Sequence, residues 1–146
     1  MIFLDSSYIK GLMIKRDHHK EFSNNIKPFL KNETKVINIT VFVEVLNALK
    51  KNNFQGSIND IINQLFNLDI FDWLSAEDYK SAAEKFRYYN GSINFADCTI
   101  LVTMEKYGIT KIVTTDSDFE KIRGIHRISG FFLIWGSWLH VYNNSR

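Results

Sequence analysis

A chain of 146 residues has room for one domain with a substantial core and little room for two. At 45% apolar and 23% charged residues it reads as an ordinary globular protein, which excludes a disordered or low-complexity chain. A net charge of +2 is too weak to assign nucleic acid by itself, and the single cysteine, Cys98, excludes a disulfide framework or a cysteine zinc site. A reduced, cytoplasmic setting is the expectation. Met1 to Asp5 lacks a basic segment followed by a long apolar run, so no signal peptide is expected. The apolar stretch Phe131 to Trp135, with Trp138 and Leu139, is too short to span a bilayer.

Met1 to Leu4 predicts a first strand that ends at Asp5, with Ser6 and Ser7 opening a turn into a helix over Tyr8 to Lys15. Taken alone, Asp5 reads first as a cap for that helix. His18 to Lys31 carries Phe22, Ile26, Phe29 and Leu30 at helical spacing, and Pro28 should break or kink it. His18 and His19 are adjacent; on a helix they would diverge, so both are read as surface residues. Lys35 to Ile39 predicts a second strand. Thr40 then caps an apolar helix over Val41 to Leu49, in which Glu44 is the conspicuous residue. A carboxylate there either lies on a polar edge with Asn47 and Lys51 or is paired with a cation.

Asn52 to Gly56 is a loop. Ser57 caps a helix with Ile58, Ile61, Ile62, Leu65 and Phe66 on its core side, and Asp69 to Leu74 makes a short third strand. Ser75 and Asp78 have the spacing of a capping box for a helix to about Asn90, with Tyr79, Ala82, Ala83 and Phe86 facing inward and Gly91 as its stop. Ser92 or Asn94 begins a largely buried helix ending near Gly108. Asp97 falls in its first turn, between Ala96 and Cys98, where a structural role and a site role weigh equally.

Ile112 to Thr114 predicts a buried parallel strand, and Asp116 and Asp118 follow it at once, before a helical start at Phe119 to Ile122. Gly124 to Ile128 is the last expected strand, with His126 as a strand residue rather than a ligand. Residues 129–146 are aromatic-rich and fit an edge strand, a core cover, a dimer contact or a cloning remnant.

Strands alternating with helices imply an α/β protein: a parallel sheet with helices on both faces. Asp5, Asp116 and Asp118 then leave strands at one edge of the sheet, where open α/β sheets bind their ligands. Glu44 and Asp97 stand in the first turns of helices that begin at that edge. Each has a dull explanation alone; accidental convergence of all five is a weaker account. Carboxylates sharing a cleft repel one another and raise each other's pKa unless a cation joins them. An all-oxygen set without Cys or His suits Mg²⁺ or Mn²⁺, and such a cation points to phosphoryl chemistry.

Four pieces of the chain together resemble the PIN-domain ribonucleases, and in particular the VapC toxins of toxin–antitoxin pairs. They are Asp5-Ser6-Ser7 after the first strand, Glu44 between Val43 and Val45, Asp97 between Ala96 and Cys98, and Thr114 to Phe119. The likeness runs over residues 1–128, expected as the nuclease domain, with 129–146 as its C-terminal extension or tail. It implies a three-layer α/β/α fold with a central, mostly parallel sheet. It implies a metal-binding quartet of Asp5, Glu44, Asp97 and Asp116, with Asp118 as a less regular fifth acid and Ser7 and Thr114 as supporting hydroxyls. It also implies endoribonuclease activity leaving a 5′-phosphate and a 3′-hydroxyl, a homodimer, and a small VapB-like antitoxin that masks the cleft.

On this reading Asp5, Asp97 and Asp116 are the main ligands of Mg²⁺ or Mn²⁺. Glu44 binds a second metal or deprotonates the attacking water. Lys10, Arg16 and Lys50 are candidates for RNA phosphate contacts, although a solvated helix face explains them equally. Two other readings stay open: a PIN-like module that binds RNA without cutting it, and a housekeeping nuclease for RNA processing or flapped DNA. A phosphatase with two acids around its first strand is disfavoured, because Ser7 stands where the second Asp belongs.

Overall fold

The computed structural model describes the backbone of residues 1–134 and 137–144 and the side chains of residues 1–129. Its centre is a sheet of six strands: β1 (Ile2–Leu4), β2 (Lys35–Asn38), β3 (Ile70–Asp72), β4 (Lys111–Val113), β5 (His126–Ile134) and β6 (Ser137–Asn144). Their spatial order is β3-β2-β1-β4-β5-β6. The first five run parallel, and β6 pairs antiparallel with β5 at the edge. The short apolar runs of the sequence become these strands because both faces are covered: Ile2, Phe3, Val36, Ile37, Ile112 and Val113 are all fully buried.

Six helices connect the strands: α1 (Ser6–Met13), α2 (Lys20–Ile26), α3 (Ile39–Lys51), α4 (Ile58–Phe66), α5 (Ala76–Tyr88) and α6 (Phe95–Tyr107). The chain winds from β1 outward through β2 to β3, then returns across the sheet to β4 and β5. Right-handed crossovers in these two directions place α1–α4 on one face and α5–α6 on the other. The direction reverses between β1 and β4, which are neighbours, with Phe3 opposite Ile112 and Leu4 opposite Val113. A crevice opens beyond the carboxyl ends of strands at such a reversal. Asp5 and the loop from Thr114 to Asp118 leave the sheet there.

Several local expectations change. The second helix begins at Lys20, not His18, and Pro28 converts its end into a 3₁₀ turn over Lys27–Leu30. The cap of α3 is Asn38, whose side chain accepts from Val41 N, rather than Thr40. Asn38 also donates through Nδ2 to Thr103 at 3.2 Å, so one amide ties the end of β2 to α6. Tyr79 and Phe86 are exposed, not inward; α5 is strongly polar and only Ala82 is fully buried. The Ser75–Asp78 capping box forms with both reciprocal hydrogen bonds, at 2.8 and 3.1 Å. Phe119 to Ile122 is not an α-helix start: Phe119 to Lys121 end a 3₁₀ turn over Ser117–Lys121, and Ile122 caps it. β5 runs past Ile128 to Ile134, with a shift in its register against β6 between Ile128 and Phe131. The backbone of 137–144 forms the edge strand β6, one of the placements expected of the tail. A core-covering or dimer role for the aromatic side chains of 130–146 lies outside the described residues.

Gly11 is required where α2 crosses α1. A β-carbon there would stand 2.1 Å from Ser23 Oγ and 2.7 Å from the His19 carbonyl oxygen. Ser23 Oγ uses that closeness to donate to the Tyr8 carbonyl at 2.7 Å.

Candidate active site

Asp5 ends β1 and is almost fully buried, with no side-chain cap hydrogen bond to α1. Capping therefore does not account for it. Its Oδ2 instead accepts from Thr114 Oγ1 at 2.6 Å and from Ser7 Oγ at 3.1 Å. Ser7 Oγ also accepts from Thr115 N at 3.2 Å, and Thr114 Oγ1 from Asp116 N at 3.0 Å. These two hydroxyls pin the β4 exit loop to the β1 exit, so Asp5 and Asp116 are fixed relative to each other. Asp116 Oδ1 in turn accepts from Asp118 N at 2.8 Å and turns the loop so that both acids face one point.

Asp97 enters from the first turn of α6 and is the group under most electrostatic stress. Its Oδ2 is buried and has no hydrogen-bond partner among the described residues. Burial, followed by the charges of Asp5 and Asp116, a side-chain hydrogen bond with Asp116 and then the charge of Glu44, pushes its carboxyl up to about 8. One ligand oxygen from each of Asp97, Asp116 and Asp118 lies within 4.8 Å of the others. Glu44 comes from the second turn of α3, where Ser6 Oγ donates to its Oε2 at 2.6 Å. Burial is the main cause that raises the Glu44 carboxyl, with Asp5 adding to it; the Ser6 hydrogen bond and Lys10 oppose the rise.

The fold therefore brings Asp5, Glu44, Asp97, Asp116 and Asp118 into one acidic cleft, with Ser7 and Thr114 as its braces. Lys10, on α1, is close enough for its charge to act on Glu44. Arg16 and Lys50 are exposed and make no ion pair with an acid of the cleft; they line separate hollows around the α3–α4 loop. Two contributors were not singled out for this site in the sequence. Ser6 reads as part of the turn into α1 until α3 is seen beside it. His19 reads as a surface residue, yet its Nε2 lies 3.4 Å from Thr115 Oγ1. Burial, with His18 next, holds the His19 imidazole below its usual value.

A buried carboxylate oxygen without a donor among the described residues, beside four further acids, is the environment a hard divalent cation satisfies. The donor set is all oxygen, which fits Mg²⁺ or Mn²⁺. Among the described lysines and arginines only Lys121 makes an ion pair with an acid of the cleft, to Asp118 at 2.8 Å from the solvent side.

An α/β sheet with converging carboxylates at its point of reversal defines the class, and comparison with known proteins supplies the family. The PIN domain profile matches residues 2–125, and the chain belongs to the PIN-domain family. Among solved structures it is similar to Mycobacterium tuberculosis VapC20, described as a sarcin–ricin loop cleaving toxin. The TM-score is 0.67 at 20% identity, covering 81% of this chain and 92% of that one. A toxin–antitoxin complex from Klebsiella pneumoniae matches with a TM-score of 0.60 at 16% identity, covering 86% and 95%. VapBC2 from Rickettsia felis, bound to a DNA fragment from its promoter, matches with a TM-score of 0.58 at 20% identity, covering 87% and 97%. No curated protein matches. No described helix is long and apolar enough to cross a membrane.

Proposed function

We propose that the chain is a metal-dependent endoribonuclease, the VapC-type toxin of a toxin–antitoxin pair. The observation that carries this reading is Asp97: a buried oxygen with no donor, surrounded by Asp5, Asp116 and Glu44. Asp5, Asp97 and Asp116 would hold Mg²⁺ or Mn²⁺, with Asp118 beside them. When bound, the cation lowers the pKa of water and neutralises charge on the phosphate. Thr114 and Ser7 hold Asp5 in one rotamer through two O–H donors, which keeps its free oxygen aimed at the cleft. Glu44, fixed by Ser6 and raised by burial, takes the proton of the attacking water or helps hold a second cation. Water attacks phosphorus, the bond to the 3′-oxygen breaks, that oxygen takes a proton from solvent, and the products are a 5′-phosphate and a 3′-hydroxyl. Lys10 is best placed of the three basic candidates to meet a phosphate; Arg16 and Lys50 would contact RNA farther from the cut.

The toxin–antitoxin descriptions of the structural neighbours support an antitoxin partner for this chain, and VapC20 makes structured ribosomal RNA the first substrate to try. A homodimer and a cytoplasmic location complete the reading.

The test is cleavage of labelled total RNA by purified protein in Mg²⁺, Mn²⁺ or EDTA, with Asp97→Asn purified in parallel. Discrete metal-dependent cuts that vanish in the variant are the expected result. Equal activity in both preparations marks contamination. Folded, antitoxin-free protein that cuts no RNA would shift the reading first to DNA substrates and then to a binding module.

A further inference from the structure

A second cluster of ligand-bearing side chains stands outside the carboxylate cleft. Asp17, His18 and His19 each offer one ligand atom, and these atoms lie within 4.8 Å of one another. Helix geometry would drive the two imidazoles apart, but they are not on a helix. α2 starts at Lys20, and Asp17–His19 form the turn before it. In that turn Asp17 Oδ1 accepts from His19 N at 2.8 Å. The two rings lie 3.7 Å apart, centroid to centroid, tilted by 48°.

The turn is held from three sides. The His19 carbonyl packs where only Gly11 leaves room for it. Lys20 Nζ donates to the carbonyls of Gly11 and Leu12 at 3.1 and 3.3 Å. His19 Nε2 meets Thr115 Oγ1, in the loop between Thr114 and Asp116. The cluster is therefore docked on the rim of the acidic cleft.

We propose that Asp17, His18 and His19 form a second cation site, for a d-block divalent ion of the Zn²⁺ class, at that rim. Two imidazole nitrogens and one carboxylate oxygen select Zn²⁺, Cu²⁺ or Ni²⁺ over Mg²⁺, which takes oxygen ligands. Three protein ligands with one position left open are an ordinary zinc set. Ligands about 2.1 Å from a tetrahedral ion stand roughly 3.4 Å apart. The side chains have to close by about an ångström, and exposed His18 is free to rotate toward the other two. The two sites differ in chemistry, one all-oxygen and one nitrogen-rich, so each takes a different ion from the same mixture. A cation at the rim also adds positive charge beside an acidic cleft. The site stands whether or not the cleft is a nuclease centre.

The test uses the untagged full chain titrated with Co²⁺ in excess Mg²⁺, followed by visible absorption. Wild type and Asp97→Asn are expected to bind one Co²⁺ with equal affinity. His18→Ala and His19→Ala should each weaken it by at least roughly 10–100-fold, the loss that even an outer-shell partner causes. His18 is exposed, so His18→Ala keeps the fold, which circular dichroism verifies. Substoichiometric Cu²⁺ should broaden the Thr115 amide resonance in wild type and Asp97→Asn but not in His18→Ala. Unchanged affinity in both histidine variants would overturn the proposal. So would loss of Co²⁺ binding in Asp97→Asn, which would put the ion in the carboxylate cleft.

Discussion

Two aspartates meet α6, and both are nearly inaccessible: Asp97 in its first turn at 8% exposure, and Asp72, from the end of β3, at 5%. Both follow the rule that an acid at this edge of the sheet is a site candidate. Their surroundings differ completely. Asp72 accepts from Thr103 Oγ1 at 2.8 Å, from Lys106 Nζ at 2.8 Å and from Leu74 N at 3.2 Å. Asp97 has a buried oxygen with no donor among the described residues, and the charged groups that act on it are acids. Lys106 extends its reach to Asp78 at 2.7 Å, so a single lysine links β3, α5 and α6. The acid that a lysine neutralises ties β3 to α6, and the acid left without one is the candidate cation ligand. Burial alone does not separate a structural carboxylate from a ligand; the inventory of donors does.

The contrast gives its largest expected effect in activity. Asp97→Asn should lower RNA cleavage by roughly 10²–10³ or more, as loss of a group that stabilises charge does. Lys106→Met, at the other aspartate, should leave the rate per folded molecule unchanged. A matched loss in both would mean that the cleft is positioned from the Asp72 side. Next comes Thr114→Val, which removes the 2.6 Å hydrogen bond to Asp5 and the acceptor for Asp116 N. Its metal affinity, read by Mn²⁺ titration, should fall by about 10–100-fold with the fold intact.

Stability should respond in opposite directions at the two aspartates. The Asp97 carboxyl titrates at about 8 in the folded chain against an ordinary 3.8. Below about pH 4 the proton is bound in both states and this group's contribution is at its most favourable. Between about pH 4 and 8 the unfolded chain releases the proton while the folded chain keeps it, so metal-free stability falls as pH rises. Asp97→Asn should therefore be more stable than wild type in EDTA at pH 7, by a few kcal/mol as an order of magnitude. Saturating Mg²⁺ should shrink or reverse that gap. Denaturant midpoints at pH 5 and pH 8, with and without Mg²⁺, read both effects. A metal-free wild type that gains stability from pH 5 to pH 8 relative to Asp97→Asn would refute the assignment.

The sheet and the acidic cleft were legible because their signals are local. An apolar run that stops at an acid marks a strand and its exit, and a carboxylate inside an apolar helix stands out at Glu44 and Asp97. What the sequence hid are pairings between distant positions. Asp72 sits inside the predicted third strand, but nothing nearby shows that Thr103 and Lys106 satisfy it. Asn38 outcompeted Thr40 as a cap because the strand ends one residue earlier than its apolar run. Ser6 and Ser7 look equivalent in the chain; the geometry sends one to Glu44 and the other to Asp5. The turn at His18 and His19 is hidden in the sequence because the helical spacing of the residues after it runs back two positions before the start of α2.

The smallest effect tests the Asp72 side alone. Lys106→Met removes the only cation that reaches Asp72 among the described residues and leaves Thr103 and Leu74 N as its donors. Two remaining hydrogen bonds blunt the cost of an uncompensated buried charge, so the loss should be about 1–3 kcal/mol rather than the larger penalty of a fully stripped ion. Lys106 is itself partly exposed, which limits what its removal takes away. Adding Asp72→Asn to Lys106→Met should recover part of the loss, because a neutral amide no longer needs the cation. The equivalent logic at the other end of α6 predicts the reverse. There, Asn at position 97 already relieves strain in the metal-free protein without any second change. A double variant no more stable than Lys106→Met would mean that the lysine acts through Asp78 and the capping of α5 instead of through the buried charge.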